Sequence, residues 1–273
     1  DEYVDVFVSP VRQGELTEKA WREVTYKDLN IEFNRLEISP LGTLCEIDTG
    51  IDTAANTVTE SKARLLPFNA SVKVGDGIFV ISEEEYQSLK PNLTIGEQRR
   101  IKKLIGTSDL GNRIIKPLET ARFLIYLTDS DKAAEYPNLI NHLSKHKPIL
   151  ESRAEFKRNP TRKWYGLAWP RPNIRFELPK IITPSRSPVN NFILDADGYY
   201  GLSGTFFIDK KDEVNESLNY IFALLNSAAL TFFCRTNFKA LGENREYIKN
   251  SLETIPIRRI NFDDPQEVKT HDH

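Results

Sequence analysis

Nine basic side chains crowd residues 145–175: Lys145, Lys147, Arg153, Lys157, Arg158, Arg162, Lys163, Arg171 and Arg175, against Glu151 and Glu155 as the only acids. Phe156, Trp164, Tyr165, Trp169 and Phe176 are interleaved with them. Cations at this density attract polyanions, and flat rings among them offer stacking faces. An ammonium group that meets a phosphate displaces counterions, whereas a guanidinium fork matches the O6 and N7 edge of guanine. On that chemistry Lys145, Lys147, Lys157, Arg158 and Lys163 are candidates for phosphate contacts. Arg153, Arg162, Arg171 and Arg175 are candidates for base-edge or bidentate contacts, with Trp164 and Trp169 buttressing the same surface. An ordinary solvated basic face with its aromatics turned inward stays open as the alternative.

Other reactive residues are thinly spread. His142 and His146 stand one turn apart on a candidate helix, a spacing that suits a metal, but no third ligand is recognisable nearby and no metal site is expected. Cys45 and Cys234 lie far apart in apolar surroundings and read as buried free thiols. Glu267, Val268 and Lys269 fit the tail of a metal-dependent nuclease motif, but their place near a polar terminus favours a chance match. No G-x-G-x-x-G turn, P-loop, G-x-S-x-G elbow or H-E-x-x-H pair occurs, so no catalytic residue is assigned and the chain reads as a binder.

The elements that must carry the basic stretch follow from hydrophobic pattern and punctuation. Pro148, Pro160, Pro170 and Pro172 interrupt it, so it reads as loops mounted on a scaffold rather than one amphipathic helix. Strands are expected at residues 44–48, 77–81, 122–128, 176–183, 192–195 and 205–208. Ser82 followed by Glu85 forms a capping box that opens a helix through Leu89. The pattern of Ile95, Ile101, Leu104 and Ile105 suggests a second helix, and residues 131–147 a third that stops at Pro148. Residues 218–233 place Leu218, Ile221, Phe222, Leu225, Ala229, Phe232 and Phe233 on one stripe, as a core helix does. A shorter helix is expected over residues 243–252.

Across the 273 residues the formal net charge is only −2, but it is sorted along the chain. Residues 1–98 hold 9 basic and 18 acidic side chains, residues 99–190 hold 19 and 8, and residues 191–273 hold 9 and 13. An acidic total therefore coexists with a strongly positive middle. With 40% apolar and 28% charged residues the composition is that of a folded soluble protein. The most apolar run, residues 218–233, contains Asn219, Asn226 and Ser227 and is not expected to span a bilayer. No secretory signal is visible at the first residues, and a cytoplasmic location is expected.

From Tyr136 onward the order of features resembles the C-terminal target-recognition, or specificity, domain of TaqI-like adenine-specific DNA methyltransferases and fused type IIG restriction-modification enzymes. The residues that carry the resemblance are Lys147, Pro148, Ile149, Leu150, Glu151 and Arg153; Trp164, Tyr165, Gly166 and Leu167; Arg171 and Pro172; and Pro179, Lys180, Ile181 and Ile182. The series continues with Asp195, Gly198, Tyr199 and Tyr200, then Ala223, Leu224, Leu225, Asn226 and Ser227, and ends at Leu252, Glu253, Thr254, Ile255, Pro256 and Ile257. Gly50, Ile51, Asp52, Thr53 and the strand ending in Val80 and Ile81 look like the first half of the same domain.

The resemblance implies an α+β fold of mixed small sheets with packed helices, in two packed lobes of one specificity domain. Residues 1–40 would be a lead-in from a catalytic domain, 41–130 the first lobe, and 131–273 the second lobe with the basic loop and core helix. It implies sequence-specific binding of double-stranded DNA, with Lys180 added to the DNA-facing residues. It also implies a non-catalytic chain partnered by an N-terminal methyltransferase domain of the same polypeptide, where S-adenosylmethionine and the flipped adenine would be held. The competing reading is a protein-interaction module whose basic loop meets an acidic partner, because charge alone does not separate one polyanion from another.

Overall fold

The structure, a computed structural model, describes residues 37–116, 121–159 and 161–272. Most of the expected lead-in lies outside the described residues. The architecture is mixed α+β, with eleven α-helices and four small sheets among the described residues.

One antiparallel sheet organises the rest. Its strands run in the order Cys45–Thr49, Thr205–Lys210, Lys180–Pro184, Ile193–Asp195, with Ile47 opposite Ile208 and Phe207 opposite Ile182. Successive strand side chains point to opposite faces, and here both faces are covered. Phe207, Ile182 and Ile193 enter one apolar core. Phe206, Ile208, Ile181 and Ile47 enter the other. The second core is closed by the helices Leu218–Leu225 and Ala228–Asn237. A second sheet, ordered Val80–Ser82, Arg122–Ile125, Ile101–Ile105, Tyr200–Gly201, lines the first core, and its last pairing is parallel.

Several expected elements fall into place for local reasons. Ser82 Oγ accepts the Glu85 N–H at 3.2 Å while Glu85 accepts the Ser82 N–H at 2.7 Å, and the helix Glu83–Leu89 follows. The strand expected at residues 44–48 is Cys45–Thr49. Others are corrected. The helix begun by Thr94 ends at Gln98, and Ile101–Ile105 is a strand, because Lys102 and Lys103 pair with Leu124 and Phe123 across the sheet. Pairing with a neighbour outweighs a weak local pattern.

The expected core helix over residues 218–233 is two helices meeting at 61°. Asn226 and Ser227 make the break: Asn226 Nδ2 donates to the Phe192 and Phe222 carbonyls at 3.0 and 3.2 Å, and Ser227 Oγ caps the second helix through the Leu230 N–H. No single described helix is long and apolar enough to cross a membrane. The helix expected over residues 243–252 is also divided. Asn244–Glu246 pairs with Arg186–Ser187, and only Lys249–Leu252 is helical.

The expected lobe boundary near residue 130 falls inside one core, since Leu127, Leu139, Leu143 and Ile149 share it with Ile78, Ile81 and Leu124. The molecule is divided by the central sheet, and both sides draw on early and late parts of the chain.

Candidate nucleic-acid interface

The basic stretch does not form one set of loops. It runs through two short helices, Lys147–Glu151 and Ala154–Arg158, and Pro148 starts the first of them rather than merely stopping the helix before. Proline fits the first turn because the N–H it lacks has no helical partner there. Beyond Asn159 the described chain is irregular as far as the strand Lys180–Pro184.

The four arginines assigned to base edges are held by the protein itself. Arg153 is 7% exposed, and its guanidinium donates to the carbonyls of Leu150 at 2.9 Å, Thr53 at 3.1 Å, Gly166 at 3.0 Å and Trp164 at 2.7 Å. Glu155 lies 3.5 Å away. Burial draws the Arg153 pKa below the ordinary arginine value, against the pull of Glu155. Arg175 grips Asp209 with both arms of its fork at 2.8 Å and adds Asp212 at 2.5 Å, hydrogen bonds that hold its pKa above the usual value. Arg162 donates to Asp129 at 2.9 Å and to the Leu167 carbonyl at 2.8 Å. Arg171 donates to the Gly50 carbonyl at 3.3 Å and lies 3.7 Å from Asp48.

Lys180, expected to face DNA, is fully buried, donating to Asp195 and to the Phe176 carbonyl at 2.6 Å. Arg153 and Lys180 are thereby corrected from recognition residues to internal clamps, because a buried guanidinium or ammonium group cannot reach a ligand outside. The picture of nine cations facing one way is corrected with them. The arginines fasten segments distant in the chain, and in Arg153 and Arg175 most of the donors are spent on doing so.

The lysines differ. Lys145, Lys157 and Arg158 are exposed and carry no ion pair among the described residues. Lys147 lies 3.6 Å from Glu151 and 5.6 Å above the Trp164 ring. Lys163 is half-buried and donates to the Asp131 carbonyl at 2.7 Å. Trp164 is half-buried, its ring edge-on to Tyr165. Trp169 is 44% exposed while its backbone exchanges hydrogen bonds with Asp52.

Asp52 belongs to the Gly50–Thr53 segment, which the arginines also seek out. Gly50 takes Arg171 on its carbonyl, and Thr53 takes Arg153. A Cβ on Gly50 would stand 2.2 Å from the Leu202 carbonyl oxygen, so only glycine admits that crossing of two backbones.

The two histidines lie side by side. The His142 Nε2 lies 3.1 Å from the Ile78 carbonyl, the rings are 5.4 Å apart, and no group of three or more possible ligands gathers among the described residues. Burial pushes the His146 pKa down to about 4. The Cys45 and Cys234 thiols are buried, and burial pushes each up to about 12, where the reactive thiolate is not formed at neutral pH.

A site that sequence reasoning missed lies elsewhere. Arg113, Arg235 and Arg245 line an open cleft of about 900 Å³ together with Asn112, Asn226 and Phe232, and no acidic side chain lines it. None of the three arginines is ion-paired with a described carboxylate. They come from a turn, a helix end and a short strand, separated by up to 132 positions, so no spacing in the sequence announces them.

Residues 132–257 match the family model of the TaqI-like C-terminal specificity domain. The match covers the whole series of residues from Tyr136 to Ile257 that carried the resemblance, and it supports a part in DNA recognition. Among curated proteins the chain is similar to the type II methyltransferase M.BanIII of Aneurinibacillus aneurinilyticus, 24% identical over 229 residues, or 82% of this chain and 36% of that protein. It is also similar to the type II methyltransferase M.HindII of Haemophilus influenzae, 28% identical over 163 residues, or 55% of this chain and 30% of that protein. The chain thus spans about a third of the curated relatives it matches. Among solved structures it shares its fold with the type IIL restriction-modification enzyme MmeI in complex with DNA, at a TM-score of 0.52 and 15% identity, over 87% of this chain and 28% of that one.

Proposed function

We propose that this chain binds double-stranded DNA sequence-specifically, as the target-recognition part of an adenine-specific DNA methyltransferase or fused type IIG restriction-modification enzyme. The observation that carries the reading is the specificity-domain match over residues 132–257, on a fold shared with an enzyme solved in complex with DNA. S-adenosylmethionine and the target adenine would be handled by a methyltransferase domain of the same polypeptide, in the cytoplasm where that DNA lies. This chain's contribution is grip and choice. Exposed cations such as Lys145, Lys147, Lys157 and Arg158 supply sequence-independent attraction to phosphates, and side chains that reach base edges supply selectivity.

The test is selection of duplexes from a randomised pool by the 273-residue chain, followed by a salt titration on the enriched and scrambled sequences. Enrichment of one sequence, with affinity falling steeply as salt rises, supports the proposal. Absence of measurable duplex binding at low salt would refute it, and tight binding of polyglutamate in its place would favour an acidic protein partner.

A further inference from the structure

Four of the five arginines in the basic stretch, Arg153, Arg162, Arg171 and Arg175, donate to the protein's own oxygens, and Arg153 and Arg175 have few donors left for a ligand. In the cleft of Arg113, Arg235 and Arg245 no arginine is paired with a carboxylate among the described residues. Arg235 leaves the last turn of the helix Ala228–Asn237 exposed, with no side-chain partner among the described residues. Arg245, on the strand Asn244–Glu246, is aimed by its own surroundings. Its Nε donates to the Arg235 carbonyl at 2.9 Å and its Nη1 to the Asn244 carbonyl at 3.1 Å, leaving Nη2 open. A guanidinium oriented this way loses little freedom on meeting a second set of acceptors.

Arg113 sits at the tip of a tight turn closed by the Gly111 N–H to the Ile114 carbonyl at 2.7 Å. Its φ is +61°, a left-handed conformation that side chains rarely adopt. The turn is pinned by the Arg113 backbone N–H, which donates to Asn191 Oδ1 at 2.7 Å. Glycine would occupy that position without strain, so the presence of an exposed arginine points to a task for its side chain. Phe232, 46% exposed, adds an apolar surface beside the three cations. A cleft with arginines on several sides, uncharged amides between them and no acid suits a polyanion presenting regularly spaced phosphates and hydrogen-bonding edges.

We propose that this cleft, rather than the basic stretch at residues 145–175, is the principal seat of the DNA duplex, with Arg113, Arg235 and Arg245 as its contacting residues. The inference rests on the DNA-binding reading above and names the surface that performs it.

The experiment compares the intact chain with an Arg113→Ala/Arg235→Ala double variant and a Lys157→Ala/Arg158→Ala double variant. A fluorescent duplex of randomised sequence is titrated across a range of salt, and urea unfolding checks each fold. Neither cleft side chain has an ion pair to lose among the described residues, so the cleft variant is expected to keep its unfolding midpoint. It is expected to bind the duplex about tenfold more weakly for each arginine removed, with a logarithmic salt slope about two smaller. The Lys157/Arg158 variant is expected to lose less. Unaltered binding by the cleft variant, with the larger loss in Lys157→Ala/Arg158→Ala, would overturn the proposal and return the interface to the basic stretch while leaving DNA binding intact. Failure of the unaltered chain to bind the duplex at low salt would overturn both readings. An Arg245→Lys variant adds a check independent of total charge: it keeps the cation but loses the fork, and binding at the unaltered affinity would exclude a bidentate role.

Discussion

Replacing Arg153 by alanine separates a clamp from a recognition residue. The side chain is 4% exposed and spends its donors on four backbone carbonyls, which belong to Leu150, Thr53, Gly166 and Trp164. Truncation would strip all four of a charged donor and leave Glu155 without its neighbouring cation. One oxygen of Glu155 is already buried without a hydrogen bond, so its carboxylate would lose its nearby compensation. Breaking a buried network by removing one partner typically costs about 3–5 kcal/mol. We expect about 4 kcal/mol here, a large share of the roughly 5–15 kcal/mol that holds an ordinary domain together. Urea unfolding followed by tryptophan fluorescence measures it, with Trp164 and Trp169 reporting from the same segment. Arg153→Lys should recover only part of the loss, because an ammonium group cannot span carbonyls arranged for a fork. If Arg153→Ala unfolds within 1 kcal/mol of the unaltered chain yet relaxes the choice of DNA sequence, the internal-clamp assignment is wrong.

Other expectations follow from single contacts. Gly50→Ala should cost more than about 3 kcal/mol, or prevent folding, because the new carbon would overlap the Leu202 carbonyl oxygen at 2.2 Å; an unchanged unfolding midpoint would contradict this. Glu97 closes a capping box with Thr94 and also accepts the Asn138 N–H at 2.6 Å and the Leu139 N–H at 3.2 Å, tying two helix N-termini together. Burial pushes its carboxyl upward, but hydrogen bonds led by the Asn138 side chain outweigh that and hold its pKa below the usual 4.5. Its stabilisation should therefore be fully present above pH 4.5 and drain away as pH falls through the depressed value. Glu97→Gln should cost about 1–3 kcal/mol at pH 7 and flatten that acid limb. His146 has a folded pKa of about 4 against 6.5 when exposed, so the unfolded state takes up the proton first. Stability should fall by about 3 kcal/mol as pH drops from 6.5 through 4, and His146→Leu should lose less over the same window in denaturant titrations.

Local signals in the sequence were legible where local physics decides. The Ser82/Glu85 capping box opened its helix, and apolar runs marked the strands Cys45–Thr49 and Thr205–Lys210, whereas the one helix expected over residues 218–233 is broken at Asn226 and Ser227. Ile101–Ile105 could not be read this way. Its residues fit a helical stripe and a strand about equally, and pairing with Arg122–Ile125 chose between them.

The sequence by itself determined the mixed fold class, the likeness of residues 132–257 to the specificity-domain family and the positive middle of the chain. These rest on residue types and their order, which need no partner to be recognised. Tertiary structure alone decided which cations are available. Composition counts charges but not the donors left after folding, and here Arg153, Arg175 and Lys180 are consumed by carbonyls and carboxylates brought to them from distant segments. The same folding brings Arg113, Arg235 and Arg245 to one cleft without carboxylate partners among the described residues. Charge is a property of the residue, whereas its freedom to act belongs to the neighbours that the fold supplies.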